Sequence, residues 1–276
     1  MKVLTHNKRA VKRIDILKYV LLVFLITWLP WFIAMLSQRN FSTTTVRILL
    51  LAGLMGPAAT AWLFVRKMPE NVKRNFLKRM VDVRLVSAKG LLFILFIPVL
   101  LPLLSVSLST LTGNTFHQLQ LSEEATESLP LFLTFLLYTF LIGPLPEEIG
   151  WRGYFLDSLL KGYNVLQSSF MVALVWALWH VPLFFIEGYP LQAFTASPLM
   201  LFTFFGNFFP LCILYTWLYC SNQRSILAAI LFHFSVNFAG TIVQIDPTTE
   251  LIQFILLLLL ALYLILLHKN IFLDNK

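Results

Sequence analysis

Eight stretches of this sequence contain no Asp, Glu, Lys or Arg: 19–38, 48–65, 90–122, 128–146, 162–186, 188–223, 225–245 and 251–267. Each is long enough, or nearly so, to cross about 30 Å of hydrocarbon, which takes roughly 20 helical residues. Hydrocarbon offers no partner to backbone N–H and C=O groups, so a spanning segment must be a helix or part of a closed barrel. The alternating pattern of barrel strands is absent. The expectation is an all-α chain, a single integral membrane domain over residues 1–276 built as a polytopic bundle of about eight transmembrane helices. A charged fraction of only 12% against 58% hydrophobic residues fits that architecture and no ordinary soluble one. The first run is too long and too rich in Trp to read as a cleaved signal peptide.

A net charge of +8 raises nucleic acid as a partner, but the placement of the charges points elsewhere. With eight spans, 19 of the 21 basic residues fall on one side of the membrane, in the segments before residue 19, at 66–89, 152–161 and 224, and after 268. By the positive-inside rule that side is cytoplasmic, so both termini of this multi-pass cell-membrane protein are expected there. The basic excess is thus a topology signal, the partner it implies is the lipid bilayer, and no nucleic acid is expected. Within 66–89 the spacing of Val72, Phe76, Leu77, Met80 and Val83 predicts an amphipathic helix lying in the interface, with Lys73, Arg74, Lys78 and Arg79 towards the headgroups. The loop at 113–127 is expected outside and acidic, its His117 solvated. The two cysteines, Cys212 and Cys220, are too far apart on one helix to bridge and read as small buried side chains.

The remaining polar groups at membrane depth are few. Gly143-Pro144-Leu145-Pro146-Glu147-Glu148-Ile149-Gly150-Trp151-Arg152-Gly153 places two carboxylates and an arginine directly after an apolar run, and ionisable groups at that depth mark function by default. On a helix Glu148 and Arg152 are four apart and can pair, whereas Glu147 points about 100° away and has no evident partner. Pro144 and Pro146 are expected to break the preceding helix and start a new one. The fifth run carries Trp176 and His180, the sixth Asn207, and the seventh His233 and Asn237 on one face. Asn207 reads as interhelical glue, and the last run, 251–267, as lipid-facing. Acids, histidines and an amide are the groups that activate water and hold a developing oxyanion. Two histidines and a glutamate from three helices also suit an open zinc site, with Glu147, His180 and His233 as ligands. Zinc is thus a possible cofactor, while no tightly bound structural metal is expected, since no cysteine cluster or dense histidine set exists to close a four-ligand site.

Glu147-Glu148-Xaa-Xaa-Xaa-Arg152, then Trp176-Xaa-Xaa-Xaa-His180, then His233-Xaa-Xaa-Xaa-Asn237 resembles the CPBP family, the CAAX protease and bacteriocin-processing (Abi) intramembrane proteases. The motifs place the catalytic core at about 130–245, and the helix count resembles the type II CAAX prenyl endopeptidase fold. One departure is that the family usually has Phe where Trp176 stands. The resemblance implies an endopeptidase acting on a membrane-associated peptide or protein, such as a CAAX-type prenylated protein or a bacteriocin leader. It implies that Glu147 with His180 activates water, that His233 and Asn237 hold the oxyanion, and that Arg152 pairs with Glu148. Both metal-dependent and glutamate-only mechanisms are compatible with it. The alternative is a catalytically idle immunity or scaffold protein, and more distantly a transporter with a buried proton relay.

Overall fold

The computed structural model describes residues 13–116, 119, 128–242 and 246–274. The basic residues before 13, His117 and the acidic residues of the 113–127 loop lie outside the described residues. The architecture is helical throughout: α1 (Arg13–Leu36), α2 (Thr44–Leu54), α3 (Gly56–Val65), α4 (Glu70–Val81), α5 (Ala88–Ser109), α6 (Leu129–Leu141), α7 (Pro144–Glu148), a π-helix (Ile149–Leu156) that continues α7, α8 (Val165–Trp179), α9 (Pro198–Ser221), α10 (Ile226–Ile242), α11 (Pro247–Leu267) and α12 (Lys269–Phe272).

Among the described residues, seven helical segments are long and apolar enough to span, and the seventh charge-free run forms the shorter helix α10. Its 17 residues reach about 26 Å at 1.5 Å per residue, at the short end of what a bilayer needs. The chain is a multi-pass membrane protein. Helix starts follow local chemistry. Ser87, Ser128, Ser197 and Asp246 each accept a backbone N–H of the first turn that follows, and Asn164 closes a capping box with Gln167.

Two faces are distinct along α1. Leu17, Leu21, Leu25 and Leu29 are exposed, as lipid-facing residues must be, while Tyr19, Val23, Thr27, Trp31 and Ala34 are buried. The buried face carries hydrogen bonds that substitute for hydrophobic attraction, which is weak between helices in lipid. Thr27 donates to the Gly53 carbonyl at 2.9 Å and accepts the Trp179 indole N–H at 2.9 Å. Trp31 donates to the Leu50 carbonyl and Trp28 to the Trp179 carbonyl. Close approach is possible because Gly53 and Gly56 face Trp31 and Thr27 across the gap. Gly150 likewise lets the π-helix press against Pro57 of α3.

Three expectations need correction. The amphipathic helix exists as α4, but Arg79 is buried and does not lie towards headgroups. It donates to Asp157 at 3.0 Å, to the Tyr219 hydroxyl at 2.6 Å and to the Arg224 carbonyl at 3.3 Å, and Arg224 pairs with the same carboxylate. This network fastens α4 to the end of the π-helix and to the α9–α10 turn. The last span is not merely lipid-facing, since Phe254, Leu257, Ala261 and Leu264 of α11 are buried and the helix packs against α5 and α9. Asn207 forms no interhelical hydrogen bond among the described residues, and its carbonyl oxygen is buried there without a partner.

The α3–π-helix contact is the tightest test of this packing. A Cβ on Gly150 would lie 2.4 Å from Pro57 Cβ and 2.7–2.8 Å from Pro57 backbone atoms, none of which can swing aside. Gly150→Ala should destabilise by about 1–3 kcal/mol, as overpacking does, and lower the thermal midpoint in detergent. Gly162→Ala, where a Cβ meets nothing within 4 Å, should leave it nearly unchanged.

Candidate active site

The site begins where α6 ends. Gly143 adopts φ +108°, a conformation that any side chain would strain, and so turns the chain into α7. Pro144 takes the first helical position, where its missing N–H costs nothing. Glu147 N–H then donates to the Gly143 carbonyl at 2.9 Å, closing the first turn. Beyond Glu148 the helix widens into the π form, an arrangement that recurs at functional sites. Seven of its eight residues, Gly150 to Leu156, are buried. Irregular backbone at membrane depth is tolerated only in such protein-enclosed places.

Glu148 and Arg152 pair as their spacing predicts. Arg152 Nη1 donates to Glu148 Oε1 at 2.8 Å, and neither side chain is exposed. Nη2 of Arg152 points to Cys212 Sγ at 3.4 Å. Its guanidinium lies 3.9 Å from the Tyr215 ring centre and 4.4 Å from that of Trp176, so aromatic faces supply much of its solvation. Nδ1 of His233 is 2.9 Å from the same Glu148 oxygen. An ionised carboxylate only accepts, so Nδ1 carries the hydrogen. His233 can then donate through Nε2 only as the imidazolium, for which Glu148 is the counter-ion.

Glu147 is buried too, at 5% exposure, but it has a different partner from the one its neighbour has. The expectation that it stands alone is corrected by Trp176, whose indole N–H donates to Glu147 Oε2 at 2.6 Å. Oε1 of Glu147 and the side-chain nitrogen of Asn237 each lie 3.6 Å from where a Cβ of residue 143 would be. The bare Gly143 backbone therefore leaves a small space with a carboxylate oxygen on one side and an amide donor on the other. His180 caps the end of α8, just before Pro182, and its Nδ1 is 2.8 Å from the Trp176 carbonyl. A carbonyl only accepts, so Nδ1 again carries the hydrogen and Nε2 of the neutral ring keeps its lone pair. Phe204 and Phe208 wall the imidazole.

All six motif side chains thus belong to one assembly. Glu148, Arg152 and His233 join directly, Glu147 and His180 through Trp176, and Asn237 across the space at Gly143. Among the described residues, no three of His, Cys, Asp and Glu are gathered closely enough to hold a metal ion. Glu147, His180 and His233 do not form such a group among the described residues. Sequence reasoning missed Tyr215 and Cys212 as partners of Arg152. Their three-residue spacing on α9 was the available signal, and nothing in it pointed to arginine.

Comparison with known proteins agrees with this assembly. The family described as type II CAAX prenyl endopeptidase Rce1-like matches residues 129–239, a stretch that holds every residue of the site. CAAX prenyl protease 2 of Methanococcus maripaludis is 32% identical over 264 residues, covering 93% of this chain and 95% of that protein.

Arg152→Ala would leave Glu148 buried beside an imidazole with its guanidinium partner gone. Removing one member of a buried ion pair costs roughly 3–5 kcal/mol, so yield and thermal midpoint should fall clearly. A variant with wild-type melting behaviour would show that the pair is not what holds this region.

Proposed function

This chain belongs to the CPBP family of intramembrane proteases, and from that premise we propose that it hydrolyses a peptide bond in a membrane-associated substrate of the CAAX prenylated type. The observation that carries the reading is the space at Gly143, flanked by Glu147 Oε1 and the Asn237 amide. It offers a base and an oxyanion donor to the same small volume. Among the described residues, no hydrogen bond commits the Asn237 amide elsewhere.

In the proposed reaction, Glu147 Oε1 takes a proton from a water molecule that Nε2 of His180 orients by accepting its second hydrogen. The water oxygen adds to the scissile carbonyl carbon, and the carbonyl π pair moves to oxygen. Asn237 and the His233 imidazolium donate to that oxyanion. The oxyanion re-forms the carbonyl, the C–N bond breaks, and the departing nitrogen receives the proton held by Glu147. Glu148 takes no proton in this scheme. Paired with Arg152 and His233, it fixes the charge state of its neighbours.

Burial supports the division of labour. A carboxylate already held by a guanidinium and an imidazole is a poor base, while one held only by a neutral indole carries no such counter-charge. The relative from Methanococcus maripaludis carries the name of a CAAX prenyl protease, and a substrate with a lipid-anchored C-terminus suits a site within a helical bundle. The distribution of basic residues supports a cytoplasmic side for both termini in this reading.

Two measurements test it. Hydrolysis of a prenylated CAAX peptide in liposomes should fall at least ~100-fold in Glu147→Gln, the low end of a general-base contribution. Asn237→Ala should cost about 2–4 kcal/mol of transition-state stabilisation, as loss of an oxyanion donor does. Full activity in Glu147→Gln would overturn Glu147 as the base, and a wild type that cleaves nothing would turn the reading to a non-catalytic scaffold. For orientation, single cysteines at Thr115 and Gly188 should label from outside the cell and those at Asn75 and Lys161 only after permeabilisation. Labelling of Thr115 from the cytoplasm would break the proposed topology.

A further inference from the structure

Trp176 touches four of the six motif residues. Its carbonyl receives His180 Nδ1 at 2.8 Å and its indole N–H donates to Glu147 Oε2 at 2.6 Å. The Arg152 guanidinium sits over its ring at 4.4 Å, and the His233 ring meets it edge to face at 5.4 Å. The indole is itself immobilised, at 4% exposure, by edge contacts with Phe208 and Tyr215.

We propose that Trp176 is a positioning residue that gives the two oxygens of Glu147 different work, with Oε2 anchored to the indole and Oε1 presented to the space beside Gly143 and Asn237. The proposal rests on the reading of Glu147 as the base. Its logic begins with competition. Arg152 has a buried Nε with no hydrogen-bond partner among the described residues, and a second carboxylate one residue from Glu148 is drawn towards the same guanidinium. A Glu147 captured there would have its charge neutralised by the guanidinium and its oxygens drawn away from the space at Gly143. The indole, standing where the family usually has a Phe that cannot donate, gives this chain an anchor of its own, and a charge-assisted N–H bond at 2.6 Å is a strong one.

Chemistry explains why an indole suits the task. A tyrosine, histidine or lysine in this place would bring a group that can exchange a proton with the carboxylate. An indole N–H only donates and does not titrate in the working range. It holds one oxygen and gives the proton taken from water no second resting place. The proton then stays on Oε1, where the departing nitrogen collects it.

Trp176→Phe isolates the hydrogen bond, because Phe keeps a ring beneath Arg152 and the same backbone carbonyl for His180. The full-length variant in nanodiscs, assayed with a fluorogenic farnesylated CAAX peptide, should show kcat lowered by about 10- to 100-fold, the scale of a misplaced reacting group. KM and the melting midpoint should stay close to wild type. A second readout is independent of turnover. In protein labelled with ¹⁵N-tryptophan, the seven tryptophans give seven indole N–H signals, and the one absent from Trp176→Phe is assigned to Trp176. That signal should lie downfield in the wild type and move upfield in Glu147→Gln, where the charged acceptor is gone. Wild-type kcat in Trp176→Phe overturns the proposal even when Glu147→Gln is inactive. So does an indole spectrum in which no signal moves in Glu147→Gln, a result that stands whether or not the Phe variant folds. Full activity in Glu147→Gln instead overturns the base reading on which the proposal rests.

Discussion

A guanidinium with no access to water must be neutralised by whatever surrounds it, and here that demand falls on Arg152. Desolvating such an ion costs several kcal/mol even after relaxation, so its surroundings are closely specified. Glu148 supplies the counter-charge at 2.8 Å from one helical turn away. Trp176 and Tyr215 supply ring faces from α8 and α9, and Cys212 a polarizable sulfur. His233 approaches Glu148 from α10. Four segments separated by long stretches of sequence therefore converge because one cation requires them. Apolar residues would pack the same volume at lower electrostatic cost. The ion network instead specifies a single mutual arrangement of the segments that carry Glu147, His180 and Asn237.

The backbone around that network is irregular where it needs to be and regular elsewhere. Gly143 reverses direction at positive φ, Pro144 restarts the helix, and the π-helix follows at once. Each would be prohibitive in contact with lipid, because unsatisfied amides have no recourse in hydrocarbon. Enclosure removes the difficulty, as Gly150 seats the π-helix on α3 and Gly153 lies against Phe76 and Ile226. At its far end Asp157 is held by Arg79 and Arg224, so the irregular stretch is fastened beyond both ends of its run. The amphipathic α4 is thus a structural clamp.

Much of this was legible in the sequence, for a physical reason. Hydrocarbon excludes charge so strongly that charge-free runs mark spans, and the few polar residues inside those runs mark the site. Glu148 and Arg152 pair as their spacing says, because α-helical proximity of i and i+4 survives the local widening. The failures have an equally definite cause. Periodicity assigns a residue to a face but not to a partner, so Arg79 looked like a headgroup contact, although its carboxylate lies 78 residues away. The indole N–H of Trp176 was invisible for the same reason, since the residue registers in a sequence only as aromatic. Nor did hydropathy distinguish a lipid-facing last span from one that packs against α5 and α9.

The contrast between adjacent carboxylates explains how a site of this kind stays both stable and reactive. Stability in a low dielectric demands that every charge be paired, and reactivity demands that some oxygen remain free. Two carboxylates in succession divide these demands. Glu148 Oε1 is saturated by a guanidinium and an imidazole, while Glu147 keeps Oε1 clear by tying up Oε2 with a neutral donor. The imidazoles divide in the same manner, each committing Nδ1 and leaving Nε2 unclaimed. Closed halves of these side chains hold the segments together, and Oε1 of Glu147 borders the space at Gly143. The helix turn that separates the two carboxylates in direction, about 100° per residue, is what allows one backbone segment to present a structural charge and a working one side by side.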